Sequence, residues 1–577
     1  MLSLYPKFRF VLLLFFIFAM HFTLITPGGS GLYLPFNVMS WIVVSIIIAV
    51  GLWQITVTKT LYFHKLHLFL AIGFTLLLVP MWYGGDFTDY AIPRLLGLLT
   101  GLIFLFSINQ FQLNKSQNND ILYLILIGIS ISATVSLFQF YFVSEPDFWP
   151  GYTPGSTRPI GLFLQPNVIA SFLATGLLLA LYLFTTVEDN EHKKWHKPLL
   201  FFTLFSAALL LVLLQSRVGF LGAIIALALM LPFVLKQNMK KTFLALLIII
   251  SGISSAFLST AFIETPNRGS EVYKDAGARS DMYRVSTHMI YDRPLTGFGY
   301  GDFERNYREF HLAIMQINPD LKMPLDNLDH PHNEILLWGV EGGILPILGL
   351  LVFALGYFYL FANTNARKAF AYIALLTPIL LHTQTEYPFY HSVPHWVVFL
   401  LIINFTQQGL TSFSIKPLPQ TFLVKFIAII NLVIIIPFML TTFHTGYLLK
   451  EYAKSDPHDE AFIKRIINPL PWKALTERVT YNHRLEVGFA NQDAKALVDY
   501  IEWGRRSVEL TPREKVFQNM ITAIQTLHNI GEPIDEKISI SLILDAEKIY
   551  PERKVWGLDA VKKVEVATEQ DQKSLQK

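Results

Sequence analysis

Long apolar runs alternate with short polar segments along most of the chain, and this pattern predicts a bundle of membrane helices. A helix needs about 20 apolar residues to cross a hydrocarbon core about 30 Å thick. Thirteen runs reach or approach that length, and the seventh and eighth are separated only by Gln215-Ser216-Arg217. Their approximate limits are 9 to 27, 38 to 56, 66 to 83, 92 to 110, 121 to 143, 161 to 186, 198 to 215, 217 to 235, 242 to 263, 335 to 362, 368 to 385, 391 to 406 and 421 to 448. The sequence therefore predicts an all-α polytopic membrane protein with about 13 transmembrane helices.

Composition supports this class, because 53% of the 577 residues are hydrophobic and only 15% are charged. The net charge is +3 and the basic residues are spread through short loops, so we expect no nucleic-acid partner. Cysteine is absent, which excludes disulfides, thiolate nucleophiles and cysteine metal sites. The first run follows Lys7 and Arg9 but precedes no small-residue cleavage site, so we interpret it as a retained span.

The distribution of basic residues predicts an orientation, since lysine and arginine favour cytoplasmic loops. With a cytoplasmic N-terminus, the cytoplasmic loops hold Lys59, Lys65, Lys115, Lys193, Lys194, Lys197, Lys236, Lys240, Lys241, Arg367, Lys368 and Lys416. The opposite short loops hold Arg94, Arg158 and Arg217. The predicted organisation is nine membrane helices in 1–263, an outward loop with amphipathic helices in 264–334, four more membrane helices in 335–448, and an outward tail in 449–577.

The tail is charged and contains apolar residues at helical spacing in three segments, 494–506, 514–528 and 538–549. This pattern predicts a small soluble α-helical domain. Paired helices of this kind resemble tetratricopeptide-like repeats, although the repeated consensus is missing. A stabilising cap without a specific partner is the alternative interpretation.

A candidate reaction centre lies in Asp329-His330-Pro331-His332-Asn333-Glu334, directly before the tenth run. An imidazole titrates near neutral pH and can take a proton from an acceptor hydroxyl. We assign that role to His332, with His330 as a supporting or acceptor-side residue and Asn333 as a substrate-binding candidate. A metal site and a chemically idle interfacial turn are the alternatives, and the further metal ligands are not evident.

Arginines on the same predicted side could neutralise an anion. Arg217 lies between two apolar runs, where a functional role competes with a lone arginine snorkelling to the interface. The helical pattern of Met282, Val285 and Met289 predicts an amphipathic helix on the membrane surface, with Arg279 and Arg284 near its start. A solvated or headgroup-contacting face is the alternative for these arginines.

Three further polar segments share the outward side. The glycines of 291–301 could form a phosphate cradle, although spaced glycines are a weak signal. In Gln165-Pro166-Asn167, proline suits a first helical position and leaves Gln165 able to face a cavity. The segment 386–391 contains Tyr387 and Tyr390, and helix capping or an aromatic belt explains it when it is taken alone.

Together these residues suit one chemistry. A sugar linked through diphosphate already carries a good leaving group, so arginines need only neutralise the diphosphate while a histidine deprotonates the incoming hydroxyl. Asp-x-Asp does not occur in the sequence, so the usual metal site for a nucleotide sugar is missing. A lipid-diphosphate donor that enters from the bilayer suits that absence.

The sequence resembles the bacterial O-antigen ligase and O-oligosaccharyltransferase superfamily, and most of all its PglL-type protein O-oligosaccharyltransferases. The resemblance is carried by Gln165-Pro166-Asn167, by Gln215-Ser216-Arg217, by the Arg279 region leading into 293–299, and by the block of residues 330–343, which ends in Gly342-Gly343. It implies transfer of a glycan from undecaprenyl diphosphate to Ser or Thr of a periplasmic protein such as a pilin. It also implies an inner-membrane enzyme with a periplasmic site and tail, and a reaction that requires no metal or other cofactor.

Carried over by motif, the resemblance makes His332 the catalytic base, and Arg217 and Arg279 the diphosphate contacts. Gln165 and either Tyr387 or Tyr390 would line the site. Arg158 and Arg284 complete the set of substrate-binding candidates.

Three other functions remain open from the sequence. An O-antigen ligase with a lipid A core acceptor and an O-antigen polymerase share the same chemistry, although an outward tail favours a protein acceptor. A transporter of the lipid-linked glycan should show repeated halves and ionisable residues in mid-span, and the sequence shows neither.

Overall fold

The computed structural model of the protein describes residues 3–24, 26–145, 152–154, 158–263, 278–456, 458–532 and 534–553. These residues are predominantly helical, with one pair of short strands. The α-helices are α1 (Tyr5–Ile17), α2 (Pro35–Thr58), α3 (Lys65–Leu78), α4 (Ile92–Ile108), α5 (Lys115–Phe142), α6 (Pro166–Thr186), α7 (His196–Leu214), α8 (Arg217–Gln237), α9 (Met239–Phe262), α10 (Ala278–Asp292), α11 (Phe303–Ile317), α12 (Glu334–Gly342), α13 (Ile344–Tyr359), α14 (Ala366–Thr383), α15 (Pro388–His391), α16 (Val393–Leu410), α17 (Phe422–Lys454), α18 (Glu460–Lys464), α19 (Lys473–Asn491), α20 (Ala494–Leu510), α21 (Glu514–Asn529) and α22 (Glu536–Ile549). The strands are β1 (Thr60–Phe63) and β2 (Ser414–Pro417), paired antiparallel with Thr60 opposite Pro417.

Each predicted span falls on helix, which confirms an α-helical multi-pass membrane protein. Within the described residues, nine helices are long and apolar enough to cross a membrane by length and composition, and they correspond to α2 through α9 and α17. The other predicted spans fall on the 13-residue α1, on α12 with α13, and on the 18-residue α14 and α16. The count of 13 crossings therefore stays a prediction.

The tenth predicted span is not one continuous helix, because the chain breaks at Gly343 between α12 and α13. Gly343 has φ +71° and ψ −151°, a backbone region essentially restricted to glycine. The turn that precedes α11 supports this break: Phe298 N donates to Val340 O at 2.8 Å, and Ile344 N donates to Pro294 O at 2.8 Å. The glycine-rich turn of residues 291–301 thus bonds to the backbone around the helix break. The sequence suggests a phosphate cradle for the same turn.

Helix α6 lies at the centre of the bundle and packs against α5, α7, α8 and α14. Its most apolar stretch is completely buried. Small residues allow α8 to approach it closely, since a Cβ added at Gly219 would lie 2.6 Å from the Cβ of Ala170. This close approach brings the start of α8 next to the start of α6, where the polar residues of the candidate site lie.

Loops on the same predicted side contact one another. The loops assigned to the cytoplasm meet through the β1–β2 pair and through Lys193, which lies 3.0 Å from Asp120. On the other predicted side, Asn37 Nδ2 donates to His391 O at 2.8 Å. The contacts follow the alternation expected from the lysine and arginine bias. Which end faces the cytoplasm stays a prediction.

The amphipathic helix expected after Arg279 is present as α10, but its apolar face covers protein. Met282, Val285 and Met289 are buried and pack in one cluster with Phe303 and Tyr307 of α11. The interpretation of this face as a membrane-surface contact is therefore wrong. Helical periodicity shows that a face is covered and leaves open what covers it.

The three helical patterns of the tail are confirmed as α20, α21 and α22, which pack as consecutive neighbours behind α19. The tail is fastened to α11 by two arginines. Arg305 Nη1 donates to Asp545 Oδ2 at 3.1 Å, and the buried Arg308 donates through Nε to Ile549 O at 2.7 Å. The Arg308 guanidinium also lies 4.1 Å from the ring centroid of Tyr550. These contacts fix the tail helices against the segment between Arg279 and His332.

Substitution of Gly343 by alanine should destabilise the helix break. A Cβ at this position would lie 2.5 Å from Leu295 O, so backbone strain and overpacking add, at a cost of about 2–6 kcal/mol. Gly531→Ala is the matched control, since Gly531 also has positive φ, at +83°, but its added Cβ meets nothing within 4 Å. Thermal unfolding in detergent should show a clearly larger loss for Gly343→Ala, and equal losses would contradict this account of the break.

Candidate active site

The candidate site is organised around the carboxylate of Glu386, in the loop between α14 and α15. Gln165 Nε2 donates to its Oε2 at 2.6 Å, and Asn167 Nδ2 donates to its Oε1 at 2.8 Å. Arg279 Nη2 donates to the same Oε1 at 2.7 Å. The side chain of Glu386 is 11% exposed. Donors from two distant segments of the chain, 165–167 and Arg279, therefore converge on one nearly buried anion.

The electrostatics of the cluster keep Glu386 ionised. Burial alone would raise the pKa of this carboxyl, but His382, the Asn167 amide and the Arg279 charge lower it to about 2. His382 Nε2 lies 3.9 Å from Oε2, one helical turn earlier on α14. Glu386 is thus a permanent anion at physiological pH.

Helix capping holds the donors to Glu386 in place. Gln165 is the N-cap of α6, where its Oε1 accepts a hydrogen bond from Val168 N at 2.8 Å, and Pro166 occupies the first turn as predicted. Gln165 is therefore engaged at both ends of its amide, and the expectation that it faces a cavity freely is wrong. Asn167 Oδ1 accepts from Ser216 Oγ at 2.9 Å, and Ser216 is in turn the N-cap of α8.

Arg217 and Arg158 lie at the turn between α7 and α8. Arg217 is the half-buried first residue of α8 and directly follows Ser216, so the Asn167 contact fixes its backbone near Glu386. Arg158 Nη1 donates to Leu214 O at 2.8 Å, at the end of α7 where Gln215 has φ +45°. The structure thus gives Arg158 a helix-capping contact beside Arg217.

His332 is held in a strained backbone conformation. It has φ +54°, which for a residue other than glycine costs about 1–2 kcal/mol. Its backbone N donates to His330 Nδ1 at 2.8 Å, and its carbonyl accepts from the hydroxyl of Tyr283 on α10 at 3.2 Å. These bonds, one at the N–H and one at the carbonyl of the same residue, hold His332 directly before the start of α12.

Asn333 fastens the same loop to its neighbours. Its Oδ1 caps α12 by accepting from Leu336 N at 3.0 Å, while Nδ2 donates to Gln384 O at 3.1 Å. Tyr283 also donates to Gln384 O, at 2.7 Å. The His332 loop, α10 and the end of α14 therefore meet two residues before Glu386.

The two tyrosine candidates have different surroundings. The Tyr387 ring lies 5.5 Å from the ring centroid of His332 and 4.9 Å from that of His330. Tyr390 lies behind the histidines, where its hydroxyl donates to Glu334 Oε1 at 2.9 Å. His330 is buried, with Nε2 3.7 Å from Glu334 Oε2. Tyr387 is therefore the tyrosine next to His332, and Tyr390 belongs to the layer that supports it.

The environment of His332 favours a neutral imidazole. Burial lowers its pKa most, with the nearby Glu386 charge acting in the opposite direction. Its Nδ1 is buried and has no hydrogen-bond partner in the described part of the chain. A neutral imidazole can accept a proton at physiological pH.

Arg284 is the site candidate that lies apart. It is exposed on α10, and its Nη2 donates to Asn318 Oδ1 at 3.1 Å, next to the end of α11. The described contacts bring Arg279 into the Glu386 cluster and leave Arg284 outside it. Within the described ranges, no group of three or more His, Asp or Glu side chains is placed to hold a metal ion.

Several residues of the cluster were missed in the sequence. Glu386 was assigned to a capping or belt segment, and Asn167, Ser216 and Glu334 received no role of their own. The available signal was an acidic residue directly after an apolar run, which is the criterion that singled out Arg217. A partner for Glu386 could not be named, because Gln165 and Arg279 are distant in the chain.

Comparison with protein families agrees with this architecture. Residues 202–354 match the O-antigen ligase family, and residues 370–530 match the C-terminal part of the virulence factor membrane-bound polymerase family. A search of curated proteins gives no significant match. Members of these families are ligases and polymerases that act on lipid-linked glycans, so the fold and the matches support a membrane enzyme of the glycosyltransferase type. The two matched segments support a relationship to the O-antigen ligase and Wzy polymerase superfamily.

The two tyrosines should respond differently to loss of the hydroxyl. Tyr390→Phe removes a hydrogen bond to the Glu334 carboxylate and should lower the free energy of unfolding by about 1.5–3 kcal/mol. Tyr387→Phe keeps the ring beside His332, and its hydroxyl makes no hydrogen bond in the described residues, so we expect a change within about 0.5 kcal/mol. Thermal unfolding of both variants in detergent measures the difference, and the reverse order would contradict the assignment.

Proposed function

We propose that this protein is an inner-membrane protein O-oligosaccharyltransferase that moves a glycan from undecaprenyl diphosphate to a Ser or Thr hydroxyl of a periplasmic protein such as a pilin. One observation carries the proposal. The two family-matched segments meet in a single polar cluster, where Arg279 from the first binds Glu386 from the second at 2.7 Å, beside the His332 loop.

The arginines supply positive charge for the departing diphosphate. Arg279 keeps 30% of its side chain exposed although it is paired with Glu386, so the side chain remains accessible to a ligand. Arg217 begins α8, where its charge adds to the positive end of the helix dipole. Guanidinium groups bind phosphate oxygens through paired hydrogen bonds, which suits a diphosphate leaving group.

The reaction is a displacement at the anomeric carbon of the donor sugar. The acceptor hydroxyl oxygen forms the new glycosidic bond while His332 takes its proton. The bond from the anomeric carbon to the diphosphate oxygen breaks, and its electron pair leaves with undecaprenyl diphosphate against the arginines. Tyr387 packs against the imidazole and restricts its orientation.

A protein acceptor is favoured by the position of the tail. The tail is fixed through Arg305 and Arg308 to α11, which lies in the chain between Arg279 and His332. A protein bound to the tail helices would therefore keep one position relative to the base. An O-antigen ligase and an O-antigen polymerase are the second candidates, because they are the families that the two segments match.

Purified full-length protein should transfer glycan from an undecaprenyl-diphosphate donor to a serine-bearing periplasmic protein. The assay offers the protein, lipid A core and a second donor molecule as acceptors in parallel. Modification of lipid A core alone would identify a ligase, and elongation of the donor alone would identify a polymerase. Passage of the donor across a vesicle membrane without any transfer would identify a transporter.

His332→Ala should reduce the transfer rate by about 10²–10⁴-fold, because the acceptor hydroxyl loses its proton acceptor. His288→Ala is the matched control, since His288 is an exposed histidine of α10 and we expect it to leave the rate unchanged. The two variants and the wild type are compared by their initial transfer rates in the acceptor assay. Unfolding temperatures verify that each variant is folded. A His332→Ala variant that is folded and fully active would refute the catalytic assignment.

The pH dependence of transfer follows from the lowered pKa of His332. A base must be deprotonated, so the rate should fall as pH decreases through that pKa, with a midpoint below the ordinary value of about 6.5. At neutral and higher pH the rate should be constant. A rate profile measured under donor-limiting conditions tests this, and a midpoint above 6.5 would be inconsistent with a base whose pKa burial lowers.

A further inference from the structure

The proposed diphosphate-binding residues are held by an anion of the protein itself. Arg279 and Gln165 both donate to Glu386, and Asn167 provides a third donor. The three hydrogen-bond distances to Glu386 are 2.8 Å or shorter, and they involve both carboxylate oxygens. A surface ion pair would vary in geometry and contribute little, whereas three donors on a nearly buried carboxylate define one arrangement.

The buried partner in this pair is the carboxylate. Glu386 is 11% exposed and Arg279 is 30% exposed, so the anion is built into the protein and the cation lies nearer the opening. Below Glu386, His382 is fully buried and its Nδ1 lies 2.7 Å from Ser171 Oγ on α6. The backbone of Glu386 is tied to this buried turn, because Glu386 N donates to His382 O at 2.9 Å, while the carboxylate holds Arg279 from one side.

We propose that Glu386 is a positioning residue that orients Arg279 toward the donor diphosphate, an inference that rests on the proposed function. Glu386 accepts a hydrogen bond from one terminal nitrogen of Arg279. The remaining guanidinium N–H groups then donate to phosphate oxygens of the donor. A guanidinium has five N–H donors in a fixed plane, so fixing one nitrogen fixes the direction of the others.

The same carboxylate also sets the position of α8. Asn167 donates to Glu386 through Nδ2 and accepts from Ser216 through Oδ1, so the amide connects the carboxylate to the N-cap of α8. Arg217 is the next residue. Both arginines proposed for the diphosphate thus take their positions from Glu386, Arg279 directly and Arg217 through Asn167 and Ser216.

Glu386→Gln tests this role because it preserves shape and removes the charge. One of the three donors must then face an amide N–H group, and Gln165 cannot rotate its amide to compensate without losing the cap on Val168. We expect affinity for undecaprenyl diphosphate, measured with purified protein in nanodiscs, to fall about tenfold, which corresponds to about 1.4 kcal/mol. Glu386→Asp keeps the charge and should lose less.

A double-mutant cycle separates positioning from general stability. Because Glu386 contacts Arg279 directly and reaches Arg217 only indirectly, Glu386→Gln should cost clearly less affinity in an Arg279→Ala background than in the wild type, whereas independent effects would multiply. Glu309→Gln is the matched control, since Glu309 accepts from Arg305 at 2.8 Å on α11, and its affinity should equal that of the wild type. If Glu386→Gln does not fold, the same double-mutant cycle of donor affinity is measured with Glu386→Asp.

The outcomes distinguish this inference from the proposed function. Unchanged or tighter binding by folded Glu386→Gln, or multiplicative losses in the cycle, would overturn the positioning role while leaving transfer to protein intact. Wild-type protein that binds undecaprenyl diphosphate and shows the coupling, but modifies only a lipid acceptor, would overturn the protein acceptor and support the inference. Wild-type protein that does not bind undecaprenyl diphosphate would overturn both.

Discussion

A carboxylate at the end of a membrane helix stays ionised only when the protein surrounds it with donors and positive charge, because burial favours the neutral acid. Glu386 meets that requirement through donors from α6 and α10 and through His382 of α14. Each partner is itself fixed by a helix end or a buried hydrogen bond. The positions of the helix termini on this side of the bundle, and with them the candidate site, therefore depend on one anion.

The site is composite in sequence, which explains why two separate family matches meet in it. Arg279 and His332 lie in the ligase-like segment, while Glu386 and Tyr387 lie in the polymerase-like segment. Tyr283 and Asn333 both donate to Gln384 O, so the segments are joined by hydrogen bonds directly beside the proposed base. The tail helices that follow are anchored to α11 through Arg308.

The apolar runs predicted the helices of the bundle because burial in lipid requires continuous apolar sequence and satisfied backbone groups. Pro166 at a helix start and the three tail helices were also predictable, since capping and periodicity are local properties.

The break at Gly343 is not predictable from the sequence, because the composition does not change there. Backbone hydrogen bonds with a turn about 45 residues earlier in the chain impose the break. The apolar face of α10 is likewise mispredicted as a membrane-surface contact, because α11 covers this face only in the folded chain. Among the candidate site residues, His332, Arg217 and Arg279 can be identified from the chemistry of each side chain alone. The role of Glu386 depends on hydrogen bonds with residues that are distant in the sequence.

The central claim is that one cluster binds the donor diphosphate at Arg279 and presents the acceptor to His332. A cryo-electron microscopy structure of the full chain with a bound undecaprenyl-diphosphate glycan tests it most directly. We expect diphosphate density against the Arg279 guanidinium, with the first sugar between it and His332 and with the Glu386 contacts retained. Diphosphate bound elsewhere, for example at the opposite end of the bundle near Lys193 and Asp120, would contradict it.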